Sequence, residues 1–266
     1  MKLNANGIEI NYTIEGDGPL VTLSHSLACN LSMWDGQARA LAGRYRVLRY
    51  DTRGHGQSSA PPGAYSLELL AEDLHGLLTG LGATETHFVG LSMGGMIGQI
   101  FALKHPAMVR SLTLCDTTSR YPAEAWPLWE ERIRTVEAKG MEAMVEPTLQ
   151  RWFTEPFRKR RPDVLDPVRA MIRNTPPAGF IGCCHAIPRI NVTDRLKEVR
   201  CPALVIVGED DPGTPVAMAR EIHAALPGAE LAILRSAAHL SNLEQPEEFN
   251  RVLLGFLDKA TGRTTL

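Results

Sequence analysis

The chain has 266 residues, 44% of them apolar and 6% aromatic, enough to bury one sizeable domain that carries an insertion. Its 28 basic and 30 acidic residues are mixed along the sequence and leave a formal net charge of -2, which offers nucleic acid no electrostatic footprint and favours a small-molecule partner. The start, Met1 to Gly7, is polar, and no apolar run approaches the roughly 20 residues that cross a bilayer, so a soluble, cytoplasmic protein with no membrane partner is expected.

In chain order, the first forty residues read as strands. An Asn6-Gly7 turn precedes alternating apolar and polar residues over 8–14, and 20–23 is a short continuous apolar run, which together suggest an antiparallel opening to a sheet. A strand over 46–50 follows, and then a helix over 67–81 with apolar residues at 67, 70, 74, 77, 78 and 81 on one face. A strand over 86–89, a helix over 93–104 stopped by Pro106 and a strand over 111–114 continue the alternation. It resumes with a strand over 203–207, a helix over 216–226, a strand over 230–234 and a helix over 247–258. Such alternation implies an α/β fold: a mainly parallel sheet with helices on both faces.

The interruption, 120–196, lacks comparable strand runs and holds Trp126, Trp129, Trp152 and several prolines. It reads as a helical cap inserted into a core formed by 1–119 and 197–266. The basic run Arg158-Lys159-Arg160-Arg161 within it reads as a solvated helix face, and the tail 261–266 as loosely held. Cys29, Cys115, Cys183, Cys184 and Cys201 form an odd set with no C-x-x-C pair and no histidine at metal-ligand spacing. They are expected to be free thiols, with the adjacent pair acting as small buried apolar residues.

One segment carries chemistry. A serine hydroxyl is a weak nucleophile until a base takes its proton, so it must be presented in the open beside that base. In Gly90-Leu91-Ser92-Met93-Gly94, glycines two positions either side of Ser92 permit a sharp strand-to-helix elbow, and the strand before and helix after are both expected. The helix start adds a free backbone N–H at Met93 for an oxyanion. An acid and then a histidine should follow at later strand ends. His239 follows the last strand. The loop after 203–207 offers Glu209, Asp210 and Asp211. A second oxyanion donor is expected after the strand at 20–24, from the backbone of Leu27; His25 and Ser26, beside it, lack an elbow of their own. The loop 51–58 bears glycines but lacks a P-loop's lysine and spacing, and reads as a structural turn near the site.

The elbow Gly90-Leu91-Ser92-Met93-Gly94-Gly95, the loop Asp51-Thr52-Arg53-Gly54-His55-Gly56-Gln57-Ser58 and the late Asp211 and His239 resemble the α/β-hydrolase superfamily over nearly the whole chain. Ser26-Leu27 with Met33-Trp34, Arg151-Trp152-Phe153-Thr154, Gly182-Cys183-Cys184 with Ala186-Ile187, and His239-Leu240-Ser241-Asn242-Leu243-Glu244 resemble 3-oxoadipate enol-lactonases in particular. His25 departs from the asparagine expected before Ser-Leu in that pattern, and the link from Ile187 to Asp194 looks longer. The resemblance implies Asp211 as the acid of a Ser92, Asp211, His239 triad, and ring opening of a small carboxylated enol-lactone as the reaction. No metal or cofactor is required. Such a substrate needs a cationic partner, for which Arg151 and Arg189 stand as candidates, with Trp152 covering the ring. A general carboxylesterase, a cofactor-free perhydrolase and a non-catalytic ligand receptor on the same scaffold are the alternatives.

Overall fold

The computed structural model describes residues 1–263. Its strands are β1 (Lys2–Ala5), β2 (Ile8–Glu15), β3 (Leu20–Ser24), β4 (Arg46–Tyr50), β5 (Thr86–Leu91), β6 (Val109–Cys115), β7 (Ala203–Gly208) and β8 (Glu230–Leu234). They form one eight-stranded sheet in the order β1-β2-β4-β3-β5-β6-β7-β8. The hairpin of β1 and β2 turns on Asn6 and Gly7, both at positive φ, the conformation that a two-residue hairpin loop demands. β2 pairs antiparallel with β4, and every neighbouring pair from β4 through β8 is parallel.

Helices flank this sheet. Residues read as part of a strand opening instead form a short 3₁₀ turn, Leu31–Trp34, and α1 (Asp35–Leu41). Buried Trp34, Ala38 and Leu41 recur at helical spacing, and the Asn30 side chain accepts from Ser32 N at 2.9 Å to start the turn. α2 (Leu67–Gly80) begins at Ser66, whose hydroxyl accepts from Leu69 N, and buries Leu67, Leu70, Leu74, Leu77 and Leu78. α3 (Met93–Lys104) is buried nearly all round, between α2 and the sheet.

Between β6 and β7 stand five helices: α4 (Trp126–Lys139), α5 (Glu142–Trp152), α6 (Glu155–Arg160), α7 (Pro162–Asn174) and α8 (Pro177–Ala186). α4 packs on α5 and α8, and α5 packs on α7. Arg158, Lys159 and Arg160 occupy the last turn of α6, where positive charge suits the helix dipole, and Lys159 pairs with Glu155 at 2.6 Å on the surface. All five cysteines are free, and Cys183 and Cys184 are buried in α8. The chain closes with α9 (Val216–Ala225), α10 (Ser241–Glu244) and α11 (Pro246–Ala260), and α11 packs against α1.

Part of the tail expected to be loose is held. Arg263 N donates to Asp258 O at 2.8 Å, and the Arg263 guanidinium lies over the Tyr45 ring. The last three residues of that tail, 264–266, lie outside the described residues. Among the described residues no helix is long and apolar enough to cross a membrane.

Candidate active site

The elbow after β5 places Ser92 at φ 55, a left-handed conformation costly for a residue with a side chain and tolerated where the surroundings fix it. The surroundings do fix it. Ser92 N donates to Cys115 O at 2.8 Å, and the Thr117 hydroxyl donates to Ser92 O at 2.7 Å. A Cβ at Gly90 would lie 2.2 Å from Gly94 O, and one at Gly94 would lie 2.2 Å from Ser24 O, so both glycines are required for the strand, the elbow and α3 to close on one another. Ser92 remains partly exposed, on the wall of a cavity.

The loops after β7 and β8 bring an acid to a histidine. Asp211 Oδ2 accepts from His239 Nδ1 at 2.8 Å and from the Thr214 hydroxyl at 2.7 Å, while Oδ1 accepts from Gly213 N and Thr214 N. Glu209 and Asp210, the other acids of that loop, are exposed. Burial pushes the Asp211 carboxyl up, but the His239 charge and the donors from His239 and Thr214 outweigh it and hold the group below its ordinary range. With Nδ1–H given to Asp211, His239 presents Nε2 as an acceptor, and the residue lines the same cavity as Ser92.

A second carboxyl, Asp116 at the end of β6, was not singled out from the sequence. It is buried, accepts from Ser241 Oγ at 2.6 Å and from Gly208 N at 2.8 Å, and so ties the ends of β6, β7 and the His239 loop together. Burial and the neighbouring Asp211 charge push its pKa well above the ordinary carboxylate value, so the two acids are displaced in opposite directions.

The loop after β3 is braced by two buried imidazoles. His25 Nδ1 donates to Ser26 O at 2.7 Å and its Nε2 accepts from Thr52 N at 3.0 Å, so both ring nitrogens are engaged with backbone and neither serves Ser26 Oγ. His55 Nε2 accepts from Ala28 N at 3.0 Å. Desolvation lowers His25 to about 4 and His55 to about 3, keeping both neutral at ordinary pH. Asp51 accepts from Leu31 N, Asn11 Nδ2 and Gln57 N, which gives the loop 51–58 its supporting role. Between these braces Leu27 lines the cavity. The Met93 side chain is buried; what it offers is the first backbone N–H of α3, one of the amides that a helix start leaves free.

The cavity encloses about 360 Å³ between the strand ends and the helical insertion. From the insertion, α4 contributes Trp129 and Arg132, and α5 contributes Arg151 and Trp152. The Trp152 ring lies against the His239 ring, centroids 6.2 Å apart and planes 28° apart. The Arg132 guanidinium sits 4.1 Å from the Trp129 ring centroid, its Nε without a hydrogen-bond partner, and Arg151 reaches only Thr148 Oγ1 at 3.5 Å. Among the described residues neither arginine has a carboxylate partner. Burial lowers both, with Arg151 brought to about 10 by desolvation and by the nearby Arg132 charge; each still carries its charge at neutral pH.

Comparison with known proteins bears on the same arrangement. The alpha/beta hydrolase fold family matches residues 19–246. The chain belongs to this family. A 3-oxoadipate enol-lactonase of Acinetobacter baylyi is 34% identical over 254 residues, covering 94% of each chain. The crystal structure of the enol-lactonase from Burkholderia xenovorans LB400 superposes with a TM-score of 0.93 at 37% identity, covering 97% of this chain and 99% of that one. A putative carbamate hydrolase, RutD, of Azorhizobium caulinodans is 30% identical, covering 93% of this chain and 94% of the relative.

Among the site residues expected of this α/β hydrolase, Ser92, His239, Leu27, Arg151 and Trp152 line one cavity, and Asp211 stands behind His239. Arg189 does not join them. It is exposed at the end of the 3₁₀ turn Ile187–Arg189 and lies outside the cavity wall. Ile187 lines the cavity, and with three residues per turn a side chain two positions later faces away. Arg132 lines the cavity wall instead. Its signal was present in the sequence as a charge on the apolar face of α4, between Trp129 and Val136 at helical spacing.

Away from the cavity, Glu72, His75 and His105 bring potential metal-ligand atoms within 4.8 Å of one another. The Lys104 ammonium already sits 2.5 Å from Glu72 Oε1, and the two imidazoles stack flat at 4.0 Å, a pose that aims their lone pairs along parallel planes and not at one point. That cluster is a surface ion-pair group of this α/β hydrolase.

Proposed function

We propose that this α/β hydrolase opens a small carboxylated enol-lactone of the 3-oxoadipate enol-lactone kind through an acyl-enzyme on Ser92. Ser92 Oγ attacks the lactone carbonyl as His239 Nε2 takes its proton, and Asp211 steadies the imidazolium. The Leu27 and Met93 N–H groups hold the oxyanion. The ring C–O bond then breaks, the leaving enolate oxygen takes the proton from His239, and the freed enol relaxes to a ketone while still attached through the acyl group. Water, deprotonated by His239, attacks the ester, and the product leaves as a carboxylate with Ser92 restored.

The observation that carries the carboxylated substrate is the pair Arg132 and Arg151: two half-buried guanidinium groups on the cavity wall, neither of which has a carboxylate partner among the described residues. An anionic group supplied by the substrate compensates charges that are otherwise desolvated and mutually repelling. Trp152 covers the ring from the His239 side.

A lactone offers a distinctive check, because its leaving group stays in the molecule. Rapid quenching with 3-oxoadipate enol-lactone and mass spectrometry should find the Ser92 peptide heavier by the whole lactone. An adduct on another residue, or turnover with no adduct at Ser92 and full activity in Ser92→Ala, sinks the proposal. The likeness to a putative carbamate hydrolase gives a second reading, hydrolysis of a neutral carbamate or simple ester. Higher kcat/KM for such neutral compounds than for the carboxylated lactone favours it.

A further inference from the structure

Glu244 takes no part in the reaction sequence above, yet it is 5% exposed and its hydrogen-bonding neighbours all donate to it. Its Oε2 accepts from Ala238 N at 2.9 Å, and its Oε1 accepts from Thr154 N at 3.1 Å and from the Thr154 hydroxyl. Ala238 immediately precedes His239. Leu240, immediately after His239, donates its N–H to Trp152 O at 3.1 Å. The residues on both sides of His239 are therefore tied to the segment 152–154 at the end of α5, one directly and one through the Glu244 carboxylate. That end of α5 also carries Arg151 and the Trp152 ring that rests on His239. Asp116 fastens the same loop to the sheet through Ser241; Glu244 fastens it to the insertion.

We propose that Glu244 is a positioning residue that sets His239 and the Arg151–Trp152 side of the cavity as one unit, so that the base and the substrate-holding wall keep a fixed relation. This rests on the serine hydrolase reading above. Without the carboxylate, Ala238 N and Thr154 N lose a shared buried acceptor, and the His239 loop and the end of α5 can shift independently. A residue that only stabilised the fold would lower the melting temperature without separating kcat from KM.

The test measures kcat and KM for Glu244→Ala, Thr154→Val and the double variant, with 3-oxoadipate enol-lactone and with p-nitrophenyl acetate, a small neutral ester. Glu244→Ala should lower kcat on both substrates by about 10- to 100-fold, the scale of a catalytic group displaced by around an ångström, and should raise KM for the lactone alone. Thr154→Val should move the same parameters in the same direction by less, and the double variant should be no worse than Glu244→Ala, since both act through one contact. A folded Glu244→Ala with wild-type kcat, an equal KM change for both substrates, or losses that multiply in the double variant would overturn the inference. If Glu244→Ala does not fold, Thr154→Val still reads the same split. Ser92→Ala run alongside separates the two ideas: retained turnover there removes the nucleophile reading, whereas an inactive Ser92→Ala beside a normal Glu244→Ala removes only the role of Glu244.

Discussion

The strand ends and the helical insertion face each other across one cavity but treat charge in opposite ways. At the strand ends every buried ionisable group singled out above has an assigned neighbour: Asp211 has His239 and Thr214, Asp116 has Ser241 and Gly208 N, and His25 and His55 are bonded to backbone. In the insertion, the outward-facing Arg134, Arg169 and Arg173 are matched with Glu131, Glu146 and Glu142. The inward-facing Arg132 and Arg151 are not. Arg132 and Arg134 stand two positions apart on α4, yet one has an acid and the other faces the cavity without one. Ionisable groups paired within the protein fit a region whose geometry must not change during reaction. Unmatched charge fits a region completed by its ligand.

The largest effects that can break this division fall on the strand ends. Ser92→Ala should lower kcat by roughly 10⁴-fold or more with the fold intact, and Asp211→Asn by about 10³- to 10⁴-fold, because the histidine loses the partner that fixes its tautomer. Steady-state kinetics on any accepted ester checks both. A loss of less than tenfold in either would move the chemistry away from these loops.

Acid should strike the same region. His25 and His55 have folded values of about 4 and about 3, below the unfolded value near 6.5. Each therefore contributes stability that is fully present above about pH 6.5 and is lost as pH falls toward its folded value, on the order of 3 kcal/mol for His25. Melting temperature should fall between pH 7 and pH 4.5, and His55→Asn, though less stable at pH 7, should fall less steeply. Equal slopes for the variant and wild type would locate the acid sensitivity elsewhere.

The two regions were also unequally legible in the sequence. Ser92 could be read because backbone contacts at Gly90 and Gly94 permit no other residue, and His239 because the strand alternation left one histidine after the last strand. Asp211 came from resemblance, and the contact that distinguishes it from Asp210 depends on the loop's turn at Gly213 and Thr214. Asp116 was hidden because a buried acid at a strand end looks in sequence like any loop aspartate. α1 was missed although Trp34, Ala38 and Leu41 carry its period, since the helix is short and follows directly on strand-like residues. In the insertion, the direction of a side chain in a 3₁₀ turn cannot be counted from its neighbours until one of them is placed, so Arg189 was assigned to a wall that Ile187 occupies. Arg132 was overlooked because an arginine on an apolar helix face usually snorkels outward.

The measurement that bears most directly on the division of labour is the ratio of kcat/KM for 3-oxoadipate enol-lactone to kcat/KM for its neutral methyl ester, compared between wild type and the Arg132→Gln and Arg151→Gln variants. Hydrogen bonds to charged groups contribute about 1.5–3 kcal/mol, so each variant should lower the ratio by roughly 10- to 100-fold, mainly through KM of the anionic lactone. An unchanged ratio would show that the insertion's arginines do not read a substrate carboxylate, and would leave the strand ends without the selective partner assigned to them.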